Sequence, residues 1–288
     1  MKLNTDRLNA FYQVALDKNF CKAADSLCIT QSALSQRVLK IEQEVGTKLL
    51  VRSNDGISLT EHGKILFDYV TDQQSKEHDL LNRISGRSTL TSGIIKIGAF
   101  SSVMRSVIMP SLLSLIQSAD KLKAEFYSRE LRELQPLLDS GEVDFIITDK
   151  AIRDPAIESI HLGVETLVHI RNRNPILMSK IPCFLDHDAE DTTTYDFFEA
   201  QGYANFEFDR SFYDDVYGLL DGVILGFGEA VVSRHMVKEN EFIEIIPHAV
   251  KVESDVVLSY AKNRYLSKLH QKLINNLKEN VPTYLSRK

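Results

Sequence analysis

Six polar residues crowd one short stretch of the chain: Gln31, Ser32, Ser35, Gln36, Arg37 and Lys40. They fall outside an apolar stripe of Leu34, Val38, Ile41 and Val45, whose steps of four, three and four are helical spacing. A glutamine side chain can pair bidentately with adenine and an arginine with guanine, each pair giving about 1–3 kcal/mol of discrimination between bases. Serine hydroxyls and a lysine ammonium suit phosphates, contacts that position a protein without reading sequence. Thr30 stands where such a helix wants its N-cap. Gly46 stands where its end wants a residue that tolerates positive φ.

Signatures of other chemistries are weak. Gly222-x-x-x-Gly226-x-Gly228 is glycine-rich, but no Gly-Lys-Ser/Thr follows it, so it is no phosphate loop. The eight histidines show no metal-ligand spacing, and Asp186-His187-Asp188 reads as a solvated loop. No nucleophile elbow is present. No catalytic residue, metal or cofactor is expected, and the chain does not read as an enzyme. Cys21 and Cys28, seven apart, read as core thiols, and Cys183, between Pro182 and Phe184, as buried. A thiol sensor needs a reactive cysteine with a resolving partner.

Apolar spacing predicts helices over residues 6–17 (Leu8, Phe11, Val14, Ala15), 21–27 (Ala23, Ala24, Leu27) and 31–45, with a tight turn at Cys28-Ile29-Thr30. Two β-type runs, Leu49–Arg52 and Ile57–Leu59, flank Ser53-Asn54-Asp55-Gly56 and predict a hairpin. Three helices and a hairpin make an α winged helix-turn-helix over residues 1–60. Its third helix would enter the major groove. Thr30 at the start of that helix, with Arg52 and Asn54 in the wing, completes the candidate DNA contacts. Thr60 would cap a long linker helix from Glu61 to about Ser85, about 37 Å in length. That helix is apolar at Ile65, Leu66, Tyr69 and Val70 and again at Leu80, Leu81 and Ile84, with nothing apolar from Thr71 to Asp79. Its two ends are expected to pack and its middle to be wet. The small polar run 86–93 closes a linker segment of residues 61–93.

From residue 94 strands and helices alternate: Ile94–Ala99, Arg105–Ser118, Ala124–Tyr127, Glu130–Leu138 and Val143–Thr148. This β-α-β-α-β order implies a parallel sheet covered by helices. Further strands are expected at Glu165–Ile170, Pro182–Leu185, Ala230–Ser233 and Val256–Tyr260, and helices near Thr194–Gln201, Asp214–Leu225 and Leu266–Leu277.

The bulk composition fits two packed units. Hydrophobic residues make up 43% and charged residues 26%, enough apolar material for real cores. No run of about 18 apolar residues marks a membrane span. The first six residues lack the apolar stretch of a secretory signal. With three cysteines that cannot all pair, a reducing cytoplasm is the expected home. The net charge of −6 hides an asymmetry: residues 1–65 carry nine Lys/Arg against seven Asp/Glu, and the acidic excess lies in the remainder. A weakly basic head on an acidic body suits a DNA-binding module carried by a domain that is not one.

Residues Ala23-Ala24, Leu27, Thr30-Gln31-Ser32, Leu34-Ser35, Ile41-Glu42, Gly46, Leu49, Arg52, Leu59-Thr60 and Gly63 together form a dense pattern that resembles the LysR-type transcriptional regulators. Ile97-Gly98, Gly141-Glu142-Val143-Asp144 and Gly226-Phe227-Gly228-Glu229-Ala230 are similar to that family's effector domain, in the expected order. Departures are Leu50 in place of the usual Phe, a slightly short effector part, and Phe126-Tyr127-Ser128 without the usual preceding Pro. The resemblance implies a multidomain chain. The winged helix-turn-helix and linker helix would be followed over 94–288 by an α/β, two-lobed, periplasmic-binding-protein-like effector domain. Lobe 1 would take about 94–164 and 251–288, and lobe 2 about 165–250. It implies a homodimer, commonly a homotetramer, on a partly palindromic double-stranded operator, with RNA polymerase as a further partner. Ligands in such a fold sit between the lobes, at strand ends and helix N-termini. Ser101, Ser102, Ser128 and Thr148, with Asp186 and Phe227 from the second lobe, are therefore the effector-binding candidates for an amino-acid-like or anionic small molecule. Two other readings stay open: a thiol redox-sensing regulator, and a ligand-independent DNA-binding protein.

Overall fold

The apolar face of the first fifty residues closes into a three-helix unit. The computed structural model of the chain describes residues 3–53, 56–84, 92–118, 121–174, 183–203, 207–237 and 240–286. Helix α1 (Thr5–Asp17) is capped by Asn4 and buries Leu8, Ala10, Phe11 and Val14. Helix α2 (Phe20–Ser26) is capped by Asn19, and Cys28 takes the turn at φ 54°. Helix α3 (Gln31–Val45) starts at Thr30, whose side-chain oxygen accepts from the N–H of Ala33 (3.2 Å), and stops at Gly46 with φ 79°. Leu34, Val38 and Ile41 are buried, but Val45 is 38% exposed. The last inward position of the stripe is taken instead by Glu42. Strands β1 (Leu50–Ser53) and β2 (Gly56–Leu59) pair antiparallel as the wing, with Leu50 opposite Leu59. Asn54 lies outside the described residues.

Helix α4 (Glu61–Ile84) runs for 24 residues. The Thr60 hydroxyl accepts from the N–H of Gly63 (2.9 Å) and donates to the carbonyl of Lys48 (2.8 Å), tying helix start to wing. Leu66, Phe67 and Val70 are buried against the head, and Phe67 stacks on Tyr12. Leu80, Leu81 and Ile84 are exposed within the chain. The middle of the helix is not simply wet, as its polar sequence suggested. Asp68 takes an ion pair from Arg264 (3.0 Å), Asp72 accepts from the backbone N–H of Tyr265 (2.8 Å), and the Lys76 ammonium lies over the Tyr265 ring. Polar side chains can face another domain as readily as water, and hydropathy alone does not tell the two apart.

The remainder is built on a seven-stranded sheet. Strand β3 (Ser92–Ala99) lies parallel between β4 (Lys121–Ser128) and β5 (Phe145–Thr148). Beyond β5 the sheet turns antiparallel through β11 (Val252–Ala261) and β6 (Ile157–Asn172). Strand β6 also pairs with β9 (Ala230–Ser233) and β10 (Ile243–Ile246). The parallel sheet expected of the first three strands is present in β3, β4 and β5. A separate small parallel sheet joins β7 (Cys183–Asp186) to β8 (Asp209–Phe212).

The first covering helix starts at Ser101, four residues before its predicted start. It comprises α5 (Ser101–Val103), a π turn (Met104–Ile108), α6 (Met109–Ser111) and α7 (Leu113–Gln117). Pro110 has no N–H to continue a regular helix, and the wide turn sits directly before it. Helices α8 (Leu131–Asp139) and α11 (Lys268–Leu285) pack on the β3–β5 end, and α9 (Thr193–Ala200) and α10 (Val216–Leu225) on the β9–β10 end. These two ends have separate hydrophobic cores, joined by the long strands β6 and β11.

The cysteines differ from expectation. Cys21 and Cys28 are exposed and Cys183 is half-buried, its Sγ 3.5 Å from the Ser211 hydroxyl. Cys21 and Cys28 sit at outward positions, where spacing alone suggested core.

Candidate DNA-reading helix and interlobe cleft

Helix α3 exposes Gln31, Ser32, Gln36 and Lys40 to solvent, with Ser35 and Arg37 half-buried beside them. Ser32 shares a hydrogen bond with the Thr30 hydroxyl (3.1 Å). Gln31, Gln36, Arg37 and Lys40 are tied to no other described residue. Their donors are free to meet a partner without first breaking an internal bond. Arg52 belongs to β1.

Glu42 ties the reading helix to the residues that lead into the wing, a role its sequence context did not disclose. Its carboxylate is 8% exposed and accepts from the backbone N–H of Leu49 (3.0 Å) and Leu50 (3.4 Å), and the Lys48 ammonium lies at 2.6 Å. Burial alone would raise its pKa, but Lys48 and the two N–H groups outweigh it and hold the carboxyl below the ordinary glutamate range. A buried acidic residue on an otherwise apolar stripe was the available signal. At the carbonyl of the same Leu49, a Cβ on Gly63 would meet the oxygen at 2.1 Å, so only glycine fits there.

A cleft of about 410 Å³ opens between the two ends of the sheet domain. Ser101 and Ser102 line it from the end of β3, with Glu130 and Arg132 at the start of α8. His187, Asp188, Glu190 and Asp191 line it from the loop after β7. Two contacts reach across: Arg132 to Glu190 at 3.5 Å and His187 to Glu130 at 3.6 Å. Of the six effector candidates, the structure brings only Ser101 and Ser102 to this cleft. Ser128 is exposed and Thr148 is buried, its hydroxyl donating to the Lys150 carbonyl (2.8 Å). Neither is among the cleft's lining, and neither is Phe227, which is 59% exposed. Asp186 is turned away: it is 2% exposed and held by the Thr194 hydroxyl (2.5 Å) and the Arg210 guanidinium (2.5 Å). Arg210 also donates to the carbonyls of Asp188 (3.3 Å) and Asp191 (2.6 Å), so this pair shapes the loop that lines the cleft. His187 and Asp188, read from sequence as a solvated loop, are the residues actually facing it.

Behind the cleft, Ser106 on the π turn lies 2.6 Å from His235 Nδ1, and His235 Nε2 lies 2.8 Å from Glu165. The serine hydroxyl also donates to the Ser102 carbonyl (2.6 Å), and His235 and Glu165 are buried. This network fastens the helix of one lobe to the strands of the other. Among the described residues no group of three or more His, Cys, Asp or Glu could hold a metal ion, and no helix is long and apolar enough to cross a membrane.

Two family models match the chain: the bacterial regulatory helix-turn-helix protein, lysR family, over residues 5–64, and the LysR substrate binding domain over 88–282. The chain belongs to the LysR family. As a member it is a DNA-binding transcription regulator with an effector-binding domain, and not an enzyme. Its similarity to the HTH-type transcriptional regulator HdfR of Yersinia enterocolitica is 26% identity over 219 residues, 76% of this chain and 71% of that one. It spans about half the length of other curated relatives that it matches. Its fold is that of ArgP from Mycobacterium tuberculosis (TM-score 0.74, 17% identity, covering 99% of this chain and 98% of that one). It is likewise that of LysG from Corynebacterium glutamicum with bound effector Arg (TM-score 0.70, 17% identity, 97% and 98%).

Proposed function

We propose that this LysR-family regulator reads a partly palindromic operator through the exposed face of α3. Gln31, Gln36 and Arg37 would meet base edges, and Thr30, Ser32, Ser35 and Lys40 the phosphates. Arg52 and Asn54 of the wing would reach the backbone or minor groove. The observation that carries this is the set of solvent-facing donors on α3 left without internal partners. One head can neutralise few phosphates, so binding at useful salt asks for at least a pair. The exposed Ile65, Tyr69, Leu80, Leu81 and Ile84 on α4 supply an apolar stripe for a second copy. Division of labour follows residues 1–60 for DNA, 61–93 for dimerisation and 94–288 for effector binding, in a cytoplasmic dimer or tetramer that acts with RNA polymerase.

The cleft takes the effector. Its lining sets Glu130, Asp188, Glu190 and Asp191 against Arg132, which favours an amino-acid-like molecule carrying an extra positive group over an anion. LysG from Corynebacterium glutamicum, with its bound effector Arg, is consistent with that chemistry on a related fold. A melting-temperature panel of arginine, lysine, agmatine and dicarboxylates tests it. A ligand at 100 times its dissociation constant adds about 2.7 kcal/mol. Stabilisation by a cationic compound, lost in Glu130→Gln/Glu190→Gln, supports the reading. Stabilisation by dicarboxylates alone contradicts it.

A further inference from the structure

A second cavity, of about 300 Å³, lies away from the interlobe cleft, where the winged helix and the start of α4 face strands β3 and β4. Its floor is apolar, formed by Leu16, Leu50, Ile57 and Phe67 from the head. Protein interiors leave few voids larger than a water molecule, and an apolar floor gives water too few hydrogen-bond partners to settle there. The volume is at the lower end of small-ligand pockets.

The rim is cationic. Lys64 comes from the head side and Lys96 from the sheet side. Neither ammonium is hydrogen-bonded to a described residue. The nearest acid to Lys64 is Glu61, at 3.8 Å and 88% exposed. The nearest to Lys96 is Glu125 at 3.7 Å, and that same oxygen already accepts from the Tyr127 hydroxyl (2.9 Å). The acidic residue on the rim, Glu142, is spent on Lys18 (2.6 Å). An apolar floor beneath two ammonium groups held only by long ion pairs matches a ring bearing one carboxylate.

We propose that this cavity is a second small-molecule site, which takes an aromatic monocarboxylate with its ring on the apolar floor and its carboxylate on Lys64 and Lys96. Because the two lysines belong to opposite sides, the bound molecule bridges head and sheet domain. It stabilises the arrangement in which they are docked, and any effector that changes that docking is coupled to it. The site does not depend on what the interlobe cleft binds.

The probe is 2-naphthoate, titrated by calorimetry against the full chain, with methyl 2-naphthoate as the uncharged control. The variants are Lys64→Gln/Lys96→Gln, Ser58→Trp, which fills the cavity and adds a tryptophan to a chain that has none, and the cleft variant Glu130→Gln/Glu190→Gln. Melting curves check that each is folded. The expected result is saturable binding of one 2-naphthoate per chain, weakened about tenfold without the two ammonium groups. Binding should be abolished by Ser58→Trp, absent for the methyl ester and retained in the cleft variant. Should the lysine variant not fold, Ser58→Trp and the ester decide. No saturable binding to the wild type, equal affinity in the folded lysine variant, or loss in the cleft variant alone overturns the proposal.

Discussion

Replacing Glu42 should loosen the wing without touching a DNA contact. The wild-type carboxylate holds the N–H of Leu49, a wholly buried residue, and that of Leu50, while pairing with Lys48. Hydrogen bonds to a charged group contribute about 1.5–3 kcal/mol, and a buried donor left without a partner costs about 1–3 kcal/mol. Glu42→Ala removes the acceptor outright and should cost about 3 kcal/mol. Glu42→Gln keeps one oxygen for Leu49 and loses the attraction of Lys48, so about 1–2 kcal/mol is expected. The pH dependence distinguishes this from a packing defect. The folded carboxyl titrates below the ordinary value of 4.5. Its contribution is therefore complete above that value and is lost as pH falls through the folded pKa. Hydrogen exchange of the peptide spanning residues 47–53 in the full chain, corrected for intrinsic rates, reports it locally. Wild type should keep its protection from pH 6 down to about pH 4.5 and lose it as pH falls further, through the folded pKa, while Glu42→Gln starts lower and changes less. Equal protection in both proteins at pH 6, or parallel loss in both on acidification, would refute the reasoning.

Three further outcomes follow from other parts of the chain. Gly63→Ala places a methyl 2.1 Å from the Leu49 carbonyl oxygen. It should cost at least about 1–3 kcal/mol in thermal unfolding and weaken operator binding by displacing the wing. Asp186→Ala strands the Arg210 guanidinium in a site where the acid is 2% exposed. It should destabilise the second lobe by about 3–5 kcal/mol, read by urea titration, and weaken the cleft ligand because Arg210 also holds the loop. Leu80→Glu/Ile84→Glu, at positions exposed in the single chain, should shift the protein toward monomer in sedimentation experiments and leave its melting curve at high dilution nearly unchanged.

Local chemistry made the head legible in the sequence. Thr30, Gly46 and the four-three-four stripe delimit α3 at the residues observed, because capping and period act within one turn. Strand β9 at Ala230–Ser233 was equally clear, since a wholly buried strand reads as a short apolar run. Strands β8 and β10 were not: Asp-Arg-Ser-Phe has no strand signature, and Ile-Glu-Ile-Ile is too short to separate from loop. The cleft lay further out of reach. Whether Asp186 or its neighbour Asp188 faces the cleft depends on where Arg210 comes to rest, 24 residues along the chain from Asp186. Strand-end reasoning picked Ser101 and Ser102, which line the cleft, because it needs only the order of elements. It missed His187 and Glu130, whose convergence is a matter of how two lobes meet. The exposed cysteines show the same limit: spacing alone did not say that Cys21 on α2 and Cys28 in the turn after it face outward.

The most direct test is binding of the full chain to its own upstream intergenic DNA at two salt concentrations, for wild type, Arg37→Ala and Lys40→Ala. Wild type should prefer that DNA over a scrambled duplex. Arg37→Ala should lose about 10- to 100-fold in affinity together with the preference. Lys40→Ala should weaken both duplexes alike and lower the salt slope by about one. Binding that ignores sequence, with both variants indistinguishable from wild type, would contradict the assignment of α3 as the reading helix.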